Sequence, residues 1–95
     1  MDTKLVKFEE VDIGWDIVFE VTLPSEEVSG CSIKPLKDVA SYEIILNGNI
    51  MSFSCIFNRN ELYENETIED RLKAIRNEVD NLSEACLKTS SNIAL

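Results

Sequence analysis

The sequence predicts an α+β domain in which an antiparallel sheet of three to five strands carries one C-terminal amphipathic helix on one face. Three observations predict this fold: an alternating apolar run over 11–23, a hairpin pattern around Asn47-Gly48, and a helical apolar stripe over 68–86. A chain of 95 residues is typical of one domain. We therefore expect residues 1–95 to fold as a single domain, with 89–95 as a frayed tail.

The long alternating run predicts a strand with one buried face, because side chains of a strand point to its two faces in turn. Its odd positions are all apolar: Val11, Ile13, Trp15, Ile17, Phe19, Val21 and Leu23. Gly14 interrupts the run and predicts a bend or bulge. Upstream, 4–9 predicts a short strand with Val6 and Phe8 pointing inward, joined to the long strand through a turn near 12–14.

A hairpin follows, since Asn-Gly suits the positive φ angles at both centres of a type I′ turn. A two-residue loop at Asn47-Gly48 pairs Leu46 with Asn49 and Ile44 with Met51. In this register one face of the hairpin is almost wholly apolar. The other face mixes polar residues with isoleucines: Glu43, Ser52, Ser54, Ile45, Ile50 and Ile56.

The third segment predicts a helix that begins at Thr67, whose spacing to Asp70 is that of a capping box. Apolar residues then recur at intervals of three and four: Ile68, Leu72, Ile75, Val79, Leu82 and Cys86. An apolar stripe of this kind also occurs in coiled coils. Because the predicted strands have an apolar face that must be buried, we expect the helix to pack on the sheet. Between the elements, 25–39 is long for a plain connection and is interpreted as an edge strand or a binding loop.

Catalytic chemistry finds little support in this sequence. The chain has no histidine, and it lacks the G-x-S-x-G, P-loop and G-x-G-x-x-G motifs. The acids that follow Asn58 do not match a calcium-binding loop, which needs an oxygen ligand where Leu62 stands and a glycine after it. We therefore predict a protein that is not an enzyme, with no catalytic residue, no metal site and no cofactor.

The N-terminus lacks the apolar core of a signal peptide, and no apolar run reaches the length of a membrane span. The three cysteines are widely spaced and include no C-x-x-C pair. These features predict a cytoplasmic protein that does not bind membranes.

Charge is the strongest functional signal. Eighteen acidic residues stand against nine basic ones, for a net charge of −9. Such a chain repels nucleic acid and speeds encounter with basic protein surfaces. Few lysines share the predicted acidic surfaces, so we expect the carboxylates not to be neutralised in pairs. The predicted partner-binding residues form a strand patch and a loop patch: Glu9, Glu10, Asp12, Asp16 and Glu20, then Glu61, Glu64 and Glu66.

These features favour a small acidic inhibitor that binds a basic protein partner, with exposed apolar residues such as Val18, Ile45, Leu62 or Tyr63 as anchors. The preferred form is an immunity protein that neutralises a nuclease-type toxin by blocking its cationic nucleic-acid-binding site. Two alternatives remain open. One is a structural or regulatory interaction module, as a homodimer or a complex subunit, and the other is a phage anti-defence inhibitor.

Overall fold

The computed structural model describes residues 2–24 and 41–94, with side chains described as far as residue 87. The segment 25–39, predicted as an edge strand or a binding loop, lies outside the described residues. A 3-10 turn at Arg59–Glu61 follows the last strand. The strands and the helix are β1 (Asp2–Val11), β2 (Gly14–Thr22), β3 (Glu43–Asn47), β4 (Ile50–Asn58) and α1 (Ile68–Ala94).

The four strands form one antiparallel sheet in the order β1-β2-β4-β3, and α1 packs on one face of it. The predicted α+β fold is therefore confirmed. The core lies between the helix and the odd-numbered residues of β2, together with their neighbours on the other strands. Its buried sheet residues are Ile17, Phe19, Val21, Leu23, Ile44, Met51 and Phe53.

β1 is an edge strand whose side chains stay largely exposed. A β-bulge between Leu5 and Lys7 shifts its register against β2. Val6 lies in this bulge and is 42% exposed, and Phe8 is 44% exposed although it pairs with the buried Ile17. Phe8 thus lies on the helix side of the sheet, the face predicted for it, but it is not part of the core, and the prediction that Val6 points inward as a regular strand residue is wrong because Val6 lies in the bulge. The helix packs mainly on the core residues of β2, β3 and β4, and it reaches β1 near Thr3, whose carbonyl oxygen accepts a hydrogen bond from Arg76.

The turn between β1 and β2 consists of Asp12 and Ile13, in the predicted place, and β2 begins at Gly14. A Cβ atom at Gly14 would lie 1.8 Å from the carbonyl oxygen of Phe57. Gly14 thus permits a close approach between the β2 and β4 backbones. The bulge expected at this glycine lies in β1 instead.

β3 and β4 form the predicted hairpin in a different register. Leu46 pairs with Met51 rather than with Asn49, so the two-residue loop consists of Gly48 and Asn49. Gly48 has a φ of 63°, and no other described residue has a positive φ, which fits a type II′ turn with glycine first. Asn49 exchanges two hydrogen bonds with Leu23 (2.8 and 3.0 Å), so β2 helps to set the register. The shift of two residues leaves the side chains of β3 and β4 on their predicted faces and moves Asn49 into the turn.

The predicted capping box at the start of α1 is confirmed. Thr67 Oγ1 accepts a hydrogen bond from the backbone N–H of Asp70 at 3.2 Å, and Asp70 Oδ2 accepts one from the N–H of Thr67 at 3.3 Å. These two bonds satisfy N–H groups that have no partner within the helix. The helix runs through Ala94, into the segment 89–95 for which the sequence predicts a frayed tail.

The apolar stripe of α1 faces the sheet as predicted. Ser83 joins it as a fully buried polar residue, which the apolar pattern did not indicate. Its hydroxyl donates to the carbonyl oxygen of Val79, one turn earlier, at 2.9 Å, so its burial leaves no polar atom unpaired. The stripe residues that are buried or pack against the core are Leu72, Ile75, Val79, Leu82 and Cys86.

Candidate interaction surface

The sheet face opposite α1, here called the outer face, is not covered by any of the described elements. It consists of the even-numbered residues of β2 from Asp16 to Thr22 and the residues that pair with them or continue their rows across the sheet. Its members are Asp2, Lys4, Lys7, Glu9, Asp16, Val18, Glu20, Thr22, Glu43, Ile45, Asn47, Ile50, Ser52, Ser54 and Ile56. All of them are half-buried or exposed.

Isoleucines give the outer face an apolar character on its β3–β4 side. Ile45 is 55% exposed and Ile56 is 58% exposed, and Ile50 is also exposed. Between Ile45 on β3 and Val18 on β2, the central strand carries the small side chains of Ser52 and Ser54. The larger apolar side chains therefore project beyond the serines, as contact residues of an interface do. Val18 and Ile45 are two of the four apolar anchors that the sequence suggested.

Lysines on β1 partly neutralise the strand patch. Lys7 Nζ lies 2.8 Å from Asp16 Oδ2 and 3.9 Å from Glu9 Oε2. The hydrogen bond to Asp16 and its negative charge raise the pKa of Lys7 above its usual value. Glu20 lies directly across from Lys4 in the β1–β2 register. The expectation that the carboxylates of this patch are not paired is wrong for Asp16 and Glu9, because an edge strand placed beside β2 brings its lysines to the same face.

The rest of the strand patch lies at the turn end of the sheet. Glu10 Oε2 accepts a hydrogen bond from Arg59 Nη2 at 2.7 Å. The same guanidinium donates to the carbonyl oxygen of Asp12 at 3.1 Å and lies over the Trp15 ring, 5.2 Å from its centroid. Asp12 itself occupies the turn and is exposed, so it does not continue the outer-face line of Asp16 and Glu20.

The loop patch contains one carboxylate with a structural role. Glu66 Oε1 lies 2.8 Å from Arg71 Nη2 and accepts a hydrogen bond from the backbone N–H of Tyr63 at 3.2 Å. The Arg71 guanidinium lies over the rings of Phe57 (5.0 Å) and Tyr63 (5.3 Å). Glu66 thus orders the loop before α1. The two remaining acids of the patch, Glu61 and Glu64, are exposed.

A cleft of about 330 Å³ opens where β3 begins, beside the end of β4, between the sheet and the first half of α1. Its polar lining includes Tyr42, Cys55, Glu61, Arg71 and Glu78. Burial raises the pKa of Cys55 to about 11, with a further contribution from nearby carboxylates, and burial together with the charge of Glu78 raises the pKa of Tyr42. Both groups therefore stay protonated near neutral pH, which suits neither a nucleophile nor a general base.

Over residues 2–24 and 41–94, no group of carboxylates and thiols has the arrangement of a metal site. Within the same ranges, no helix has the length and apolar character that crossing a membrane requires. Comparison with known proteins found no matching family model, no matching curated protein and no matching solved structure.

Proposed function

We propose that this chain is a non-catalytic binding protein that inhibits a basic protein partner through the outer face of its sheet. The observation that carries the proposal is the composition of that face. Three exposed isoleucines lie beside carboxylates there, in the described part of the chain. Apolar anchors surrounded by charges of one dominant sign are typical of interfaces in which charge steers the encounter and buried side chains hold the complex.

The outer face keeps an excess of negative charge after its lysine–carboxylate ion pairs are counted, and this excess favours a cationic partner. Five carboxylates and two lysines lie on it: Asp2, Glu9, Asp16, Glu20, Glu43, Lys4 and Lys7. Glu43 lies next to Ile45 on β3 and has no ion pair within the described residues. We infer that Glu43 and Ile45 together form the centre of the contact.

The partner class that fits best is a nuclease-type toxin, whose phosphate-binding groove carries the lysines and arginines that such a face attracts. In this proposal the chain acts as the immunity protein and covers the groove, so that nucleic acid is excluded. A phage anti-defence inhibitor would use the same surface against a different nucleic-acid-binding enzyme. Strict mimicry of DNA is not proposed, because B-DNA carries about one charge per 1.7 Å and this face is far sparser.

The first experiment tests the partner class. The product of the neighbouring reading frame is purified, and its cleavage of DNA and RNA is measured with and without an equimolar amount of this chain. We expect cleavage to be abolished by complex formation, and the association rate to fall steeply as the salt concentration rises. A neighbouring product that cleaves nucleic acid equally well in the presence of the chain would contradict the immunity function.

A second experiment tests the outer face with matched variants. Glu43→Lys should slow association severalfold, whereas Glu64→Lys, which makes the same charge change in the loop patch, should have a small effect. Ile45→Ala should raise the dissociation rate about tenfold. Its control is Ile13→Ala, at an equally exposed isoleucine (57%) in the β1–β2 turn. Equal effects of Glu43→Lys and Glu64→Lys, and of the two isoleucine variants, would place the contact elsewhere.

The second candidate is an interaction module that assembles mainly through apolar contact, and the exposed isoleucines are the observation that favours it. Salt separates the two functions. An apolar assembly keeps its association rate at high ionic strength, while a charge-steered inhibitor does not.

A further inference from the structure

The outer edge of β1, with which no strand among residues 2–24 and 41–94 pairs, is the starting point of this inference. The Leu23 N–H donates to the Asn49 carbonyl, so the odd-numbered residues of β2 bond to β4 and the even-numbered residues bond to β1. On β1, the residues across from even-numbered β2 residues, such as Lys4 and Glu9, therefore bond inward to β2. The residues that turn their backbone N–H and C=O groups outward are Thr3, Leu5, Phe8 and Glu10.

Two oppositely charged residues of β1, Lys4 and Glu9, lie at equal distances on either side of the middle of the strand, between Val6 and Lys7. The other charged residues of the strand, Asp2, Lys7 and Glu10, have an uncharged residue at the position symmetric to theirs. An antiparallel second copy of β1 centred on this point therefore places Lys4 across from Glu9 at both ends, whereas a parallel copy in register would place like charges together.

We propose that β1 pairs with β1 of a second copy of this chain, antiparallel about a two-fold axis between Val6 and Lys7, and joins the two four-stranded sheets into one. In this register Leu5 lies across from Phe8 of the second copy, and Lys4 lies across from Glu9 of the second copy. The proposal concerns the edge of the sheet and does not depend on the function proposed for the outer face.

The hydrogen-bonding pattern supports this register. Leu5 and Phe8 both turn their backbone groups outward, so they can exchange two hydrogen bonds across the axis. The backbone groups of Lys4 and Glu9 both bond to β2, so Lys4 and Glu9 of the second copy form a non-hydrogen-bonded pair. In such a pair the Cα atoms and the side chains lie closest together. Thr3 pairs with Glu10 of the second copy. The Thr3 carbonyl already accepts a hydrogen bond from Arg76 at 2.8 Å and has a second lone pair to offer.

The faces of the paired residues also agree. Leu5 and Phe8 both belong to the helix side of the sheet, where they pair with the core residues Phe19 and Ile17. Leu5 is 37% exposed and Phe8 is 44% exposed, so each has apolar surface left for the other. Lys4 and Glu9 both belong to the outer face. The bulge lies at the axis, where both strands shift together, so the pairing stays in register on either side of it.

The test measures mass by sedimentation equilibrium over a wide range of protein concentrations at about 0.15 M salt, where repulsion between the two acidic copies is screened beyond about 8 Å. We expect the wild-type chain to form a dimer reversibly. A mass equal to one copy at every concentration up to the solubility limit would overturn the proposal.

Charge exchange then tests the register. Lys4→Glu places two carboxylates across from each other at both ends of the interface, and Glu9→Lys places two lysines there, so each variant alone should raise the dissociation constant about tenfold or more. An equimolar mixture of the two variants restores opposite charges at both ends and should form a heterodimer with affinity close to that of the wild type. Restoration by mixing cannot arise from a folding defect in either variant.

Ile45→Lys serves as the control, because it places a charge on the outer face far from the β1 edge and should leave the dimer unchanged. A dimer that is lost in Ile45→Lys and kept in Lys4→Glu would show that the outer face, and not the β1 edge, joins the copies. A mixture of the two charge variants that stays monomeric would overturn the proposed register.

Discussion

Two arginines combine an ion pair with an aromatic contact at the end of the sheet where β4 leads toward α1. Arg59 links Glu10 of β1 to the face of Trp15, and Arg71 links Glu66 of the loop to the faces of Phe57 and Tyr63. The planar guanidinium suits both contacts at once, which a lysine ammonium does not. Two of the predicted partner-binding acids, Glu10 and Glu66, therefore have a structural contact within the fold.

Gly14 and Gly48 are required for different physical reasons, and substitutions at the two positions distinguish these reasons. Gly14→Ala should lower the free energy of unfolding by about 2–4 kcal/mol, because the new methyl group meets the Phe57 carbonyl. Gly48→Ala should cost only about 1 kcal/mol, since no atom lies within 4 Å and the penalty comes from its positive φ alone. Urea denaturation measures both.

Asparagine provides the control at each position, because it tolerates positive φ better than alanine does. Gly48→Asn should recover much of the stability lost in Gly48→Ala, and Gly14→Asn should recover none. A recovery at Gly14 would contradict the close backbone approach there.

At the scale of the element, the start of α1 is stabilised by residues close together in the sequence, whereas the exposure of the β1 side chains depends on the position of β1 in the sheet. The capping box of α1 lies within four consecutive residues, so its pattern is readable in sequence. β1 owes its exposed side chains to its place at the edge of the sheet and to a bulge. Bulges and lysines on an edge strand are devices that limit unwanted strand pairing, so pairing of β1 with a second copy has to be specific in register.

The contribution of the cap can be measured directly. Thr67→Ala removes the oxygen that accepts the Asp70 N–H and should lower the free energy of unfolding by about 1 kcal/mol. Glu69→Gln is the matched control. It removes a first-turn acid that makes no capping bond within the described residues, and it should cost about 0.5 kcal/mol or less through the helix dipole. Equal losses in the two variants would argue against the capping role.

At the scale of the whole molecule, the excess of acidic residues means that some carboxylates destabilise the fold by repulsion, whereas others stabilise it through ion pairs. A net charge of −9 on a small domain produces repulsion that disfavours the compact state. Carboxylates bound to arginine or lysine offset this cost locally. Exposed acids such as Glu64 contribute to it without compensation.

Glu64 and Glu66 test this distinction with the same charge change two residues apart. Glu64→Lys should leave the free energy of unfolding unchanged or raise it by about 0.5 kcal/mol, because it reduces overall repulsion. Glu66→Lys should lower it by about 1–2 kcal/mol, because it removes the carboxylate bound to Arg71 and the Tyr63 N–H. Thermal denaturation at low and high salt checks both, and a stabilised Glu66→Lys would contradict the structural role of that pair.

The sequence by itself determined the features that depend on neighbours along the chain. The alternation of β2, the hairpin, the faces of its residues and the cap of α1 all follow from periodicity or from residues within one turn. The composition of the hairpin's outer face was readable for the same reason, because residues two positions apart on a strand share a face and alternation therefore placed Glu43 and Ile45 together.

The register and the strand order were decided by the tertiary structure. β3 places Ile45 across from Ser52 and Glu43 across from Ser54, two residues away from the pairing that the Asn-Gly turn predicted. Which acids are neutralised was decided only by the tertiary structure. Lys7 contacts Asp16 across the β1–β2 pairing, and Arg59 contacts Glu10 from the turn after β4, 49 positions away along the chain. Alternation and local motifs do not indicate which of these side chains meet.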